Sequence, residues 1–376
     1  MYIVEKTKNF NFFKSFDYIL FLEIIILSVI GCFVARSAVN TFSTSRKMMI
    51  VHIGCLAVGA LLAVLISFLD YKDFKIPGIL FYFFTIALLV LVLFIGTGED
   101  LGSRNRLVFM GFTFQPSELA KISVVIVGSI FLDRIYNGEK NKAANIIKFV
   151  VYSSIPVLLI VVQKDFGVVA VFLCALFIMV FFCGLRYKYI FMMLGAGVLT
   201  APFVWFFLLN DKRRDRIRVF LNPNLDPLDA GWNVIRSKMA IGSGKIFGKG
   251  LFKGIQTQNS MVPVKESDFI FSVVGEELGF VGAVVILLLV FLILMRFLNI
   301  AKNARDTYGS FLVIGLGSFF AVNFIENIGM SIGLLPVTGI PLPFISVGGS
   351  AMLTNMLSVG IILSVSARRH RGRFLT

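Results

Sequence analysis

Long apolar runs alternate along the chain with short polar breaks. Runs at roughly 17–37, 47–69, 76–96, 117–132, 146–163, 166–184, 187–209, 269–295, 309–334 and 348–366 approach the ~20 residues that an apolar helix needs to cross a bilayer. In lipid a backbone must satisfy its own hydrogen bonds, which helices do. The pattern predicts an all-α polytopic integral membrane protein of about ten transmembrane helices, residues 1–376 forming a single membrane domain. The fourth run is short and opens on polar residues. The first is followed by no small-residue cleavage site and reads as a retained span. An even number of crossings puts both termini on one side.

The breaks carry the orientation signal. Alternate ends hold Lys6, Lys8, Lys14, Lys72, Lys75, Arg134, Lys140, Lys142, Lys148, Arg186, Lys188, Arg296, Lys302, Arg305, Arg368, Arg369, Arg371 and Arg373. The short loops opposite hold only Arg36, Arg46, Lys47, Arg104, Arg106 and Lys164. Basic residues stay on the cytoplasmic side, so both termini are expected there. One segment departs from the rule: residues 210–268, between spans seven and eight, form a long extracytoplasmic loop with Lys212, Arg213, Arg214, Arg216 and Arg218. Loops near ~60 residues translocate regardless of charge, and one this long in a compact protein is usually functional. Its basic content suits an anionic ligand such as a lipid phosphate, or outer-leaflet headgroups.

Composition agrees. The chain is 57% apolar and 15% charged, against about 45–50% and 25% for soluble domains. Its mean hydropathy is +0.89. The net charge of +15 does not indicate nucleic acid, because the cations flank spans, where they face anionic headgroups. Cys32, Cys55, Cys174 and Cys183 all lie in apolar runs, with neither the spacing of a metal site nor that of a disulfide framework.

The long loop has structure of its own. Asp226-Pro227-Leu228-Asp229 reads as a turn and helix start. Gly231–Ile241 places Trp232, Ile235 and Met239 on one face of a short amphipathic helix at the interface. Gly242-Ser243-Gly244-Lys245 lacks the spacing of a phosphate-binding P-loop and no strand precedes it.

Ionisable groups in spans are costly and mark function by default. In Gln115-Pro116-Ser117-Glu118-Leu119-Ala120-Lys121 the Pro-Ser pair suits a helix start. Glu118 and Lys121 share a face, as an internal ion pair or as Lys121 against a substrate phosphate with Glu118 orienting it. Asp268, where the long loop meets span eight, is placed as an N-cap or as a general base at the membrane surface. Glu276-Glu277 lie about 12 Å further on, too far for a glycosidase-type pair, and suit a hydrogen-bonding role. Asn323, Glu326 and Asn327 form one stripe facing the bundle interior. Residues 333–344 hold three prolines and two glycines in an uncharged apolar stretch. Such backbone survives at membrane depth only inside protein or lining a cavity, so 335–347 reads as a re-entrant loop. Gly348-Gly349-Ser350 then opens span ten with free N–H groups suited to an anion.

These blocks resemble the SEDS family (RodA/FtsW/SpoVE). Gln115–Lys121 is similar to Gln-Pro-Ser-Glu-x-Ala-Lys, Asp226–Ser237 to Asp-Pro-x-x-x-Gly-Tyr-Gln-x-x-Gln-Ser, and Ala240–Gly250 to Ala-Ile-Gly-Ser-Gly…Gly-x-Gly. Ser267–Gly279 resembles Thr-Asp-Phe-Ile-Phe-x-x-x-x-Glu-Glu-x-Gly, and Asn327–Ser350 the long Asn-Ile-Gly-Met…Leu-Pro-Phe-x-Ser-Tyr-Gly-Gly-Ser block. The resemblance implies polymerisation of lipid II into glycan strands on the outer face, with Asp268 catalytic. It puts weight on Glu118 and Lys121. Gln115, Arg104, Lys245, Glu326, Asn327 and Ser350 complete the candidate substrate-binding set. It implies a class B penicillin-binding protein and other elongation-complex membrane proteins as partners. Asn105-Arg106, Lys164, Val264-Lys265-Glu266, Trp232, Arg236 and Val347 depart from the family pattern and bear on acceptor-side detail. The Pro-Val-x-Glu-Ser-Asp stretch looks more like RodA-type relatives, which favours elongation over division or sporulation.

The chemistry joins a sugar hydroxyl to the anomeric carbon of a lipid-diphosphate donor. One carboxylate suffices to take the proton. The leaving group needs positive charge, from Lys121, loop arginines or a divalent cation, Mg or Mn; no covalently bound cofactor is expected. A lipid II flippase is the rival reading, since a polar broken span also suits a transporter; it is opposed by the lack of an inverted repeat and by polar motifs gathered at the outer mouth. A catalytically inert scaffold is the third.

Overall fold

Aspartate caps set where several helices begin. In the computed structural model of the chain, Asp17, Asp165 and Asp306 accept hydrogen bonds from the N–H groups of Leu20, Val168 and Gly309 in the first turns that follow, satisfying donors that a helix start leaves orphaned. The structure describes residues 15–98, 103–109, 112–138, 142–184, 211–221 and 230–369, with isolated positions between 191 and 206. Most of the seventh expected span and the 226–229 turn lie outside the described residues.

The helices are α1 (Tyr18–Ala38), α2 (Ser45–Phe68), α3 (Lys75–Ile95), α4 (Pro116–Tyr136), α5 (Lys142–Val162), α6 (Phe166–Phe182), α7 (Asp211–Leu221), α8 (Ala230–Ser243) and the single turn α9 (Ile255–Gln258). They are followed by α10 (Ile270–Lys302), α11 (Thr307–Ser331) and α12 (Gly349–Ala367). Seven of these are long and apolar enough to cross a membrane, α6 being shorter. The chain is a polytopic helical membrane protein. α4, which is not among those seven, is longer than the 117–132 run expected for a fourth span, because it continues through Asp133 and Arg134 to Tyr136. An exception to the all-helical expectation is a short hairpin, β1 (Leu107–Phe109) with β2 (Phe112–Phe114), paired Leu107↔Phe114 and Val108↔Thr113.

The centre is built from the last helices. The apolar windows of α11 and α12 are 83% and 78% buried, against 22% for α2, so α2 turns most of its surface to lipid. α12 still packs closely on α2: a Cβ on Gly360 would meet the Ala63 backbone at 2.9 Å. Small residues that let helices approach are a main source of packing energy in lipid.

Helix ends meet in two groups. At one end Asp306 meets Tyr71 and Lys72, Asp133 meets Thr307, and Arg368 meets Asp70. At the other, the α1–α2 connection, the hairpin, the α5–α6 turn, and α7–α9 gather around Asp268. Span eight extends beyond the expected 269–295. It opens with a helical turn, Ile270–Val273, and a π-turn, Val274–Leu278. After Gly279 (φ +68°) it runs to Lys302, and those 24 residues alone reach about 36 Å. Glu276 and Glu277 therefore precede a full membrane crossing.

Residues 332–348 are non-helical yet bury Ile340, Leu342, Phe344 and Ile345. Their N–H groups find partners within the protein: Leu334 N on Gly329 O, Leu342 N on Ser346 Oγ, Val347 N on Glu266 O. In α8 the protein-facing side is Val234, Ser237 and Ala240, with the Ser237 hydroxyl donating to Ser331 O (2.7 Å). Trp232, Ile235 and Met239 take the outward side, and Met239 is exposed.

Candidate active site

Asp268 sits in a tight turn before α10. The Val264 carbonyl accepts the N–H groups of Ser267, Asp268 and Phe269 (3.1–3.2 Å), with Val264 itself at φ +48°, a conformation that a β-branched residue adopts only where surroundings enforce it. They do so from three directions. The Asn327 amide on α11 donates to the Asp268 carbonyl (2.8 Å) and to Ile340 O (2.7 Å). The Ser346 hydroxyl donates to Ser267 O (2.7 Å). Lys265, buried, donates to Thr41 Oγ1 (3.2 Å), Ser260 Oγ (3.2 Å) and the Thr257 carbonyl, tying the turn to the α1–α2 connection and to α9.

The carboxylate is held far less firmly. Its only hydrogen bond among the described residues is from the Ser267 hydroxyl to Oδ1 (2.8 Å). Oδ2 faces Gly339, whose added Cβ would lie 3.3 Å away. Burial pushes the Asp268 carboxyl above the usual carboxylate range; the Ser267 hydroxyl, Arg106 and Arg216 oppose that, and Glu266 adds to it. A general base gains from this placement, since its pKa moves towards the working pH.

A second polar cluster lies at the start of α4. Lys121 Nζ donates to Glu118 Oε1 (2.6 Å), and both are buried. Beside them, Asp165 accepts from the Asn105 and Gln115 amides; burial pushes its carboxyl up, with Asn105 the main counterweight. The two clusters meet across a small cavity walled by Glu118, Asn323, Leu342, Ser346, Met352 and Asn355. Ser346 belongs to both. Ser117 Oγ, Asn323 Oδ1, Glu326 Oε2 and Asn327 Oδ1 are buried with no hydrogen-bond partner. Unpaired oxygens at depth call for water or a ligand.

Of the residues singled out in the sequence, Asp268 and Asn327 are joined directly, while Glu118, Lys121 and Gln115 form the second cluster. Glu326 adds an unpaired oxygen. Ser350, half-buried, is the second residue of α12 and its carbonyl accepts from the Thr354 hydroxyl (2.9 Å). Arg104 is exposed on the segment leading into the hairpin. Lys245 is placed elsewhere: exposed, φ +52°, its carbonyl taking the Phe280 N–H (2.9 Å) beside the kink in α10. That region is organised by the two glutamates. Glu276 accepts from Lys249 Nζ (2.9 Å), Gln256 N, Thr257 N and Thr257 Oγ1 (2.8 Å each). Glu277 takes Phe252 N (3.1 Å), Gly254 N (3.3 Å) and Gln258 Nε2 (3.0 Å). They fold the loop against α10. Asp165, Lys265 and Ser346 were not singled out as site residues. Asp165 had a cue, an acid directly before an apolar run; Lys265 and Ser346 had none. Among the described residues no three His, Cys, Asp or Glu side chains converge to hold a metal ion.

The FtsW/RodA/SpoVE family model, described as a cell cycle protein, matches residues 14–371. The probable peptidoglycan glycosyltransferase FtsW of Trichlorobacter lovleyi is 34% identical over 365 residues, covering 94% of this chain and 93% of that one. The peptidoglycan glycosyltransferase MrdB of Escherichia coli is 35% identical over 353 residues, covering 93% and 94%. Among solved structures, a chain of a peptidoglycan synthase complex superposes with a TM-score of 0.78 at 26% identity, over 95% of this chain and 99% of that one. The rod shape determining protein RodA of Thermus thermophilus gives 0.70 at 25% identity, over 95% and 98%. The match runs nearly end to end and takes in every element of the site: the chain belongs to the FtsW/RodA/SpoVE (SEDS) family.

Proposed function

We propose that this peptidoglycan glycosyltransferase polymerises lipid II into glycan strands on the outer face of the cytoplasmic membrane, with both termini cytoplasmic and Asp268 as the general base. The observation that carries the role of Asp268 is the contrast within one residue: a backbone pinned from three directions bears a carboxylate with a single neutral donor. Such a carboxylate is positioned yet free to accept a proton. It takes the proton of the acceptor hydroxyl as that oxygen bonds the donor's anomeric carbon and the diphosphate departs. The Glu118–Lys121 pair and the unpaired oxygens of Asn323 and Glu326 offer polar contacts for substrate on the far side of Ser346. Among the described residues no three His, Cys, Asp or Glu side chains converge on a metal ion, so the charge proposed for the leaving group is that of the chain's own cations, with a divalent cation, Mg or Mn, entering only together with the diphosphate. A class B penicillin-binding protein is the expected partner, and elongation the expected setting.

The test is incubation of the purified protein and partner, transpeptidase site blocked, with labelled lipid II. Long glycan strands from wild type and none from Asp268→Ala are expected. Strands from both would remove Asp268 as the base. Strands from neither would turn the reading towards a flippase, which the polar groups within the bundle would also serve.

A further inference from the structure

A shallow cleft lies between α7, α8 and the 333–337 segment. The reaction as written makes no use of it. Val219, Val234, Leu335 and Val337 give it apolar walls, and Arg216 and Lys238 stand at its rim. Neither cation has an ion-pair or hydrogen-bond partner among the described residues. Lys238 is placed by the backbone beneath it: a Cβ on Gly333 (φ +75°) would lie 2.1 Å from Lys238 Cε and 2.5 Å from Nζ. A side chain at 333 would push the flexible Lys238 tip aside, and the positive φ there favours glycine.

The cleft adjoins the reacting centre. Val337 packs on Ala240, Val262 and Phe269, and two residues further Gly339 abuts Asp268 Oδ2. Arg216 is near enough for its charge to act on the Asp268 carboxyl. Two unpaired cations over an apolar hollow match an amphiphile with a multiply charged phosphate head and a hydrocarbon tail. A cation pair that only met bilayer headgroups would need no hollow.

We propose that this cleft is the donor's leaving-group site: Arg216 and Lys238 clamp a prenyl diphosphate while its first isoprene units lie on Val219, Val234, Leu335 and Val337. The assignment rests on the polymerase reading. It is the donor whose diphosphate must lie near the base, because its anomeric carbon carries that diphosphate directly. As the acceptor oxygen bonds this carbon, the carbon–oxygen bond to the diphosphate breaks. The electron pair stays on the diphosphate oxygen facing the two cations, and the acceptor's proton passes to Asp268.

The experiment is equilibrium binding of radiolabelled farnesyl diphosphate to the full chain in detergent. Wild type, Asp268→Asn, Gly333→Ala and the double variant Arg216→Gln/Lys238→Gln are compared, each checked for a single cooperative melting transition no lower than that of wild type. Wild type should bind, and Asp268→Asn, which loses a negative charge near Arg216, should bind at least as tightly. The double variant should bind about tenfold or more weakly, and Gly333→Ala should fall between. Farnesol and inorganic pyrophosphate should compete poorly. A double variant that binds like wild type overturns the site. So does phosphatidylglycerol competing as well as unlabelled farnesyl diphosphate, which would make this a general headgroup contact. Failure of the polymerase reading looks different: normal binding by wild type with no glycan made from lipid II.

Discussion

Two aspartates at opposite ends of the bundle use the same functional group in opposite ways. Asp17 is fully enclosed. Its Oδ1 takes Arg296 Nε (2.8 Å), Arg296 Nη2 (2.6 Å) and Leu20 N (3.2 Å); its Oδ2 takes Ser366 Oγ (3.1 Å) and faces Arg369 (3.4 Å). One carboxylate thus locks the start of α1 to the ends of α10 and α12, and nothing is left for chemistry. Asp268 inverts the arrangement. Its main chain carries the locking contacts, and its carboxylate keeps one neutral partner. On the proposed reading, the structural acid is saturated at the side chain, and the base is fixed at the backbone and left unsatisfied where it reacts.

The contrast breaks most visibly on substitution to asparagine. Asp17→Asn leaves Arg296 and Arg369 facing a neutral amide in a buried site and should cost about 3 kcal/mol of stability. Asp268→Asn should do the reverse. Burial raises the folded-state pKa of Asp268, so its ionised form is the disfavoured one. Stability is lost as pH climbs from the ordinary value of about 4 through the raised one, and it stays lost above. The amide removes that cost, so at neutral pH Asp268→Asn should melt higher than wild type while making no glycan. Melting curves of both variants in detergent check the pair. A destabilised Asp268→Asn would mean that the carboxylate is structural after all.

The next effect is on the backbone lock. Asn327→Ala deletes both amide hydrogen bonds, to Asp268 O and Ile340 O, each worth about 1 kcal/mol. The larger consequence is geometric. A base displaced by even ~1 Å loses rate steeply, so turnover should fall roughly a hundredfold, with KM for lipid II little changed. A raised KM with unaltered kcat would place Asn327 on the substrate and not behind Asp268.

The sequence discloses one side of this comparison more readily than the other. The spans were legible because lipid tolerates only long apolar helices there, and Asp268 because an acid at a membrane edge is conspicuous. The uncharged, proline-rich stretch before α12 stood out for the same reason. What binds these parts was hidden. Ser346 is an ordinary serine until the fold sets it against Ser267, and Lys265 is one cation in a basic loop until the Thr41, Thr257 and Ser260 oxygens close around it. The inner face of α8 was also concealed. In water the apolar stripe marks the side that packs on protein, but at a membrane Trp232, Ile235 and Met239 can face lipid. The small residues Ser237 and Ala240 then make the contact. The β1–β2 hairpin escaped notice because three-residue strands leave too little alternation to read.

The finest test acts on the charges around Asp268 and leaves its hydrogen bonds alone. Arg106 is exposed, beside the hairpin, and its charge pulls the Asp268 carboxyl down against the upward push of burial. The rate should rise with pH as Asp268 ionises, giving an acid limb above the ordinary carboxylate range. Arg106→Gln removes one opposing charge, so the limb should move to higher pH while the plateau rate stays close to wild type. Because Arg106 is open to solvent, salt should imitate the substitution. With a Debye length of about 3 Å at 1 M against about 10 Å at 0.1 M, the wild-type limb should drift towards that of the variant, and the variant's own limb should drift less. A limb unmoved by both would show that Arg106 lies outside the field felt by the base. A limb that moved with salt but not with the substitution would assign that field to Arg216, the other cation acting on the Asp268 carboxyl.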